Sequence, residues 1–204
     1  MAASLAQWMR TNGVRRSVRV GQTLTCRGER PDWVFLVDRG VVVLHYEANG
    51  NRFPISVCSH GAVIGLGAAI LDRPHAADAR PRVDADVVAV AADSVRALIT
   101  SPEYSVPVAR SLAAETFVLA NRCAALQSQT VRSRVLTILS ELSYDASVYP
   151  VALVLPIQDL ATMAGADLAH VCRVLRGLRD EGLIDYGKRR LAIHTPIRAC
   201  GLRP

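Results

Sequence analysis

Residues 165–178 read GADLAHVCRVLRGL and mix groups that could read a nucleic acid with groups that can only pack. Arg173 and Arg176 each carry a planar fork of N–H donors, which matches a guanine edge or a phosphate. His170 lies near them, and Leu168 and Ala169 could touch a thymine methyl. Wound as a helix, Ala169, Arg173 and Arg176 share one face, while Val171, Val174, Leu175 and Leu178 share the opposite one. A second basic group, Lys188, Arg189 and Arg190, follows at a spot where cations would reach a phosphate backbone. The stretch alone does not separate a buried helix from one that lies in a DNA groove. Its neighbours do.

Upstream, LPIQDLATMAG reads as a short helix, with Pro156 suited to the first helical position and Gly165 to the stop. Only Ala166 separates that glycine from Asp167, whose carboxylate suits the N-cap of a second helix running to about Asp180 and which also stands among the candidate DNA contacts. Two helices joined by a tight glycine turn form a helix-turn-helix pattern. Downstream, LIDYG and LAIHT are short strands around the basic KRR, which makes a wing. An amphipathic helix over VRSRVLTILSEL precedes the set and ends before YDASVYP. Residues 131–204 are therefore expected to form one winged helix-turn-helix domain.

The first half has a different rhythm. VFLVD (34–38) and VVVLHY (41–46) are β-branched runs separated by Arg39-Gly40, and DADVVAVA (84–91) supplies a last strand. Asn49-Gly50 between two such runs predicts a hairpin, since both residues tolerate positive φ. Gly21, Gly28, Gly40, Gly50 and Gly61 recur every 7 to 12 residues, as in a compact all-β barrel or roll. Asp93 is placed to cap a short helix, SVRALIT. Residues 1–102 are read as this domain.

After Ser101-Pro102 the period changes. Val108, Leu112, Thr116, Leu119, Cys123 and Leu126 form one narrow stripe on a long helix, with Glu115 and Arg122 at its edges. Such a stripe suits a two-helix seam, so residues 103–130 are read as a dimerisation helix, the alternative being a helix packed on its own sheet. The fold class is α+β.

Composition sets weaker bounds. A net charge of +6 favours a polyanionic partner, but residues 1–129 and 130–204 each net +3, so placement matters more than total. Of 24 basic side chains, 23 are arginine, a skew that reflects genome composition more than function. Five separated cysteines without a CxxC pair argue against a structural zinc or a disulfide framework. The absence of an 18-residue apolar run argues against a membrane span, and the N-terminus lacks a secretory pattern, so a cytoplasmic protein is expected. No GxSxG, GxxxxGK[ST] or paired-carboxylate constellation suggests an enzyme.

In GQTLTCRGERPDWVFLVDRGVVVLHYEANGNRFPISVCSHGAVIG, LITSPEYSVPVARSLAAETF and DLATMAGADLAHVCRVLRGLRDEGLI the chain resembles the Crp/Fnr superfamily of bacterial transcription regulators. The resemblance covers essentially the whole chain. It implies an N-terminal β-roll (a double-stranded β-helix) for sensing, a dimer helix and a winged helix-turn-helix. It further implies double-stranded DNA, a second copy of the chain and RNA polymerase as partners. Members that bind cyclic AMP carry a glutamate for the ribose and an arginine-serine pair for the cyclic phosphate. Here the segment is GLGAAILDRPHAADAR: Leu66 stands at the glutamate, and the pair falls within residues 75–78. Gly65, Leu66, Arg73, His75 and Ala76 are the candidate effector-pocket residues, with Arg73 and Arg80 the nearest cations. A buried phosphate without partners would be costly, so a signal other than cyclic AMP is expected.

Iron–sulfur members resemble a cysteine cluster near the N-terminus, whereas only Cys26 lies in the first 57 residues here. Haem could use His45, His60 or His75, and Cys58-Ser-His60 could hold a metal, yet each reads as an ordinary side chain. No cofactor is assigned. The family's recognition helix often opens with an arginine-glutamate pair, whose positions are Leu168 and Ala169 in this sequence, while Arg173 falls on its third reading position. Gln158 resembles a phosphate contact. These departures imply altered or relaxed base preference, the blander alternative being that Arg173 and Arg176 only pair with Asp180 or Glu181 on the solvent face. They also leave open an alternative, a small-molecule binding module whose DNA binding is weakened or lost.

Overall fold

The computed structural model describes residues 4–128, 130–143, 156–187 and 190–193. Its first part is one antiparallel sheet of five strands with short helices against it. In chain order these are α1 (Leu5–Asn12), β1 (Val14–Val18), β2 (Trp33–Ala48), β3 (Asn51–Cys58), β4 (Val63–Ile64), α2 (Leu66–Leu71), β5 (Asp78–Ala91) and α3 (Ala92–Ile99). The strands lie in the order β1-β5-β2-β3, with β4 also paired to β2.

Two expected strands, VFLVD and VVVLHY, are the halves of β2. Its register against β5 slips between Val37 and Val42, which bends the strand without ending it. Gly40 sits at the bend with φ +90°, and a Cβ there would lie 2.5 Å from the Asp84 carbonyl oxygen. The Arg39-Gly40 pair is thus a kink within continuous pairing, not a turn. Likewise β5 begins at Asp78 rather than at Asp84. The expected hairpin is present: Asn49 (φ 52°) and Gly50 (φ 71°) join β2 to β3.

Successive residues of β2 and β5 point to opposite faces, and both faces are covered. Val34, Leu36, Val88 and Val90 meet Leu5, Met9, Leu66, Val95 and Val108 on the helical side. Phe35, Val37, Val87 and Ala89 meet Val42, Cys58, Ile64 and Ala85 inside the roll. Burial on both sides explains why VFLV and VVAV read as unbroken apolar runs. Helix α3 starts one residue before the expected cap. Ala91 is its N-cap, Ala92 is buried, and Asp93 lies in the first turn, paired with Arg96.

Then come α4 (Ser105–Ser128), α5 (Val131–Ser143), α6 (Ile157–Met163), α7 (Leu168–Asp180), β6 (Ile184–Gly187) and β7 (Arg190–Ile193). The chain divides into two compact units, residues 1–118 and 119–204, and the division falls inside α4. In the second unit α7 packs on α5, α6 and β6. Val171, Leu175 and Leu178 of α7 are fully buried, as are Leu160, Val135, Leu139 and Ile184 within a percent. Val174, also expected to face inward, is half-buried. Pro156 is the N-cap of α6 rather than its first helical residue, since its ψ of 139° is extended. Strands β6 and β7 pair antiparallel, as the wing requires, while Lys188, Arg189 and the YDASVYP segment lie outside the described residues.

Candidate nucleic-acid interface and sensor residues

The turn between α6 and α7 is set by three choices of residue. Ala164 ends α6 in the helical region, Gly165 reverses the chain at φ +57°, and Asp167 opens α7. The Asp167 carboxylate accepts from the His170 backbone N–H at 2.8 Å, satisfying one of the free amides at the helix start. Asp167, a candidate contact in the sequence, is therefore the cap that aims the helix. Beyond it, Leu168 is 43% exposed, Ala169, Arg173 and Arg176 are exposed, and His170 is half-buried. Gln158 is exposed in the first turn of α6, and Arg190 pairs with Gly187 at the base of the wing.

Charge pairing around α7 leaves this face free. Arg132 donates to Glu181 at 2.7 Å, and Asp180 is held by Arg179 at 3.4 Å. Arg173 and Arg176 make no ion pair and no side-chain hydrogen bond among the described residues. Two guanidinium groups on one open helix face can engage an outside anion without first breaking an internal bond.

The five candidate pocket residues do not converge. Leu66 is 2% exposed and belongs to the apolar core, so it lines no polar site. Arg73 and Ala76 point to solvent. Gly65 and His75 do meet: a Cβ at Gly65 would lie 3.1 Å from His75 Cε1. His75 is buried, its backbone N–H donates to the Glu29 carbonyl at 2.9 Å and its carbonyl accepts from Gly28 N–H at 2.9 Å. Burial lowers its pKa, against the opposing pull of Glu29 and Asp32. His75 thus pins the loop at Gly28 to the loop after α2. His60 Nδ1 lies 2.7 Å from the Asp38 carbonyl oxygen, and no cluster of three metal-binding side chains occurs among the described residues.

A polar knot beside this region was not anticipated. Asp78 accepts from Arg27 N–H at 2.8 Å and pairs with Arg80 at 3.4 Å, and the Arg27 amide, foremost, lowers the Asp78 pKa. The Arg27 guanidinium lies 4.2 Å from the Tyr46 ring centroid and donates to Tyr46 Oη at 3.2 Å. The only sequence cue was an acid and an arginine two apart on one strand.

Along α4 the stripe divides. Val108 is buried in the β-domain's own cluster and Leu112 packs against it. Thr116 is exposed and its hydroxyl donates to the Leu112 carbonyl. Leu119 and Leu126 are each 45% exposed, and Cys123 is exposed. Phe117, 60% exposed beside them, was missed because it lies just off the periodic line.

A family model described as the cyclic nucleotide-binding domain matches residues 15–101, and one described as the Crp-like helix-turn-helix domain matches residues 133–197. The chain belongs to the Crp/Fnr superfamily of transcription regulators. Among solved structures, FixK2 from Bradyrhizobium japonicum is 25% identical, with a TM-score of 0.72 over 90% of this chain and 93% of that one. A transcriptional regulator of the CRP/FNR family from Thermus thermophilus is 21% identical, with a TM-score of 0.69 over 90% and 94%. The c-di-GMP responsive global regulator CLP from Xanthomonas campestris is 16% identical, with a TM-score of 0.68 over 93% and 98%. Comparison with curated protein sequences finds no match. This Crp/Fnr regulator is of a DNA-binding, regulatory class, and among its described residues no helix is long and apolar enough to cross a membrane.

Proposed function

We propose that this Crp/Fnr regulator acts in the cytoplasm as a homodimer on a two-fold symmetric operator, with one α7 in the major groove of each half-site. The observation that carries the reading is the open pair Arg173 and Arg176, left without internal partners among the described residues while Asp180 and Glu181 are engaged by other arginines. Arg173 reads a guanine edge, and Leu168, Ala169 and His170 face neighbouring bases. Arg176, Gln158, Lys188, Arg189 and Arg190 hold phosphates. Two half-sites about one helical turn apart match such a dimer. The seam uses Thr116, Leu119, Cys123 and Leu126, with Phe117 added, while Val108 and Leu112 anchor the helix to its own domain. Transcription then changes through RNA polymerase.

The effector is a molecule other than cyclic AMP. Leu66, at the ribose position, is packed in the core, residues 75–78 hold neither arginine nor serine, Arg73 stands in solvent and Arg80 is paired with Asp78, so the groups needed for ribose and phosphate are missing from one place. A ligand shifts the dimer toward a DNA-competent arrangement only by binding that arrangement better. Selection from random duplexes at low salt should yield a palindrome whose binding weakens as salt rises. Calorimetry with cyclic AMP should show no heat of binding. Failure to select any site, with purified dimer, would overturn the operator reading and favour a ligand-binding module.

A further inference from the structure

We propose that Arg134 is a positioning residue for the recognition helix: it ties the last turn of α4 to the turn between α6 and α7. The inference rests on the operator reading above. Arg134 lies in the first turn of α5, and its two terminal nitrogens go to two different places. Nη1 donates to the Leu126 carbonyl at 3.1 Å, and Nη2 donates to the Gly165 carbonyl at 3.4 Å. Its buried Nε has no hydrogen-bond partner among the described residues, so these two carbonyls are the ends the fork holds.

Both acceptors matter for geometry. Leu126 is near the end of α4, where carbonyls lack a partner in the next turn and a cation is favoured. Gly165 is two residues before the Asp167 cap, so its position sets where α7 begins. The two segments also touch directly: a Cβ on Gly165 would lie 2.8 Å from Leu126 Cδ2. A shift of the last α4 turn therefore moves the Gly165 carbonyl with it, and the aim of Ala169, Arg173 and Arg176 follows. A planar guanidinium can span two carbonyls at once. A lysine ammonium is a single point on a flexible stem and loses that constraint while keeping the charge.

The test compares the full-length chain with Arg134→Lys, Arg134→Ala and, as a control on α5 that keeps a cation beside Glu181, Arg132→Lys. Affinity is measured for the selected operator and for a scrambled duplex across a salt series, with urea unfolding of each protein alongside. For Arg134→Lys we expect an unchanged urea midpoint, an operator-to-scrambled ratio lower by about tenfold, comparable to one mismatched base pair, and an unchanged salt slope. Arg134→Ala should lower the ratio at least as far, whereas Arg132→Lys, which keeps Glu181 paired, should leave it alone. An unchanged ratio in both Arg134 variants overturns the proposal. So does a salt slope reduced by about one, which marks a phosphate contact, or a ratio that falls only together with the urea midpoint. If the wild-type chain shows no operator preference, the operator reading fails and this proposal fails with it.

Discussion

Replacing Arg173 with alanine isolates what the open face of α7 does. The side chain is exposed and has no ion pair among the described residues, so the fold loses little; surface changes of this kind stay within about 0.5 kcal/mol. The DNA complex should lose much more. A bidentate arginine–guanine contact is worth about 1–3 kcal/mol of discrimination, which corresponds to a fall in affinity of about 5- to 150-fold. Fluorescence anisotropy on the selected operator and on single-base variants, repeated over a salt series, reads both size and pattern. Arg173→Ala should flatten preference at one base pair in each half-site and leave the others intact. Lys188→Ala should weaken every duplex alike and reduce the salt slope by about one. Identical behaviour of the two variants would refute the assignment, because Arg173 would then hold only backbone. A large loss of thermal stability in Arg173→Ala would refute the premise that the residue is free.

Three other outcomes follow from the geometry. Asp167→Ala removes the cap on α7 and should cost about 0.5–2 kcal/mol in the second unit, while Asp167→Asn, which keeps a capping oxygen, should cost little; urea unfolding followed by circular dichroism measures both. Gly40→Ala places a methyl against the Asp84 carbonyl at positive φ and should destabilise the β-domain by more than about 1 kcal/mol, seen as an earlier transition in tryptophan fluorescence, since Trp8 and Trp33 both lie there. Burial keeps His75 neutral in the fold, with its pKa below the ordinary 6.5, so the unfolded chain takes up a proton that the fold resists. Stability from this source is present above 6.5 and declines as pH falls below it; the urea midpoint by tryptophan fluorescence should drop toward acid, and His75→Gln should flatten that slope.

The helical half was legible because its signals are local. Gly165 and Asp167 mark the turn and the cap by their own chemistry, and the period of residues 108–126 marks a helix whatever it packs against. The sheet was less legible because its bend depends on partners far along the chain. Nothing within VFLVDRGVVVLHY says that Asp84 and Ala85 crowd Gly40, so a kink reads as a break. Helix α1 and the six-residue α2 were not anticipated, since their order comes from burying Leu5, Met9, Leu66 and Ala69 against the sheet rather than from caps. The sensor residues were the hardest. Leu66 falls at a ligand position by resemblance to the family, yet an apolar side chain at the start of α2 is drawn into the core. The stripe on α4 has a period but no label, so its first two members could not be told from the rest.

The break that the eye picks first, between the long helix and the segment starting at Val131, is a poor place to splice. Ala125 is buried and Leu126 leans on Gly165, although both precede that point. A DNA-reading module grafted from this regulator onto another sensor has to carry the final two turns of α4 as part of its cargo. Exchange among relatives that respects this join would trade whole readers with their stems attached, and one that ignores it would leave a hole above the turn.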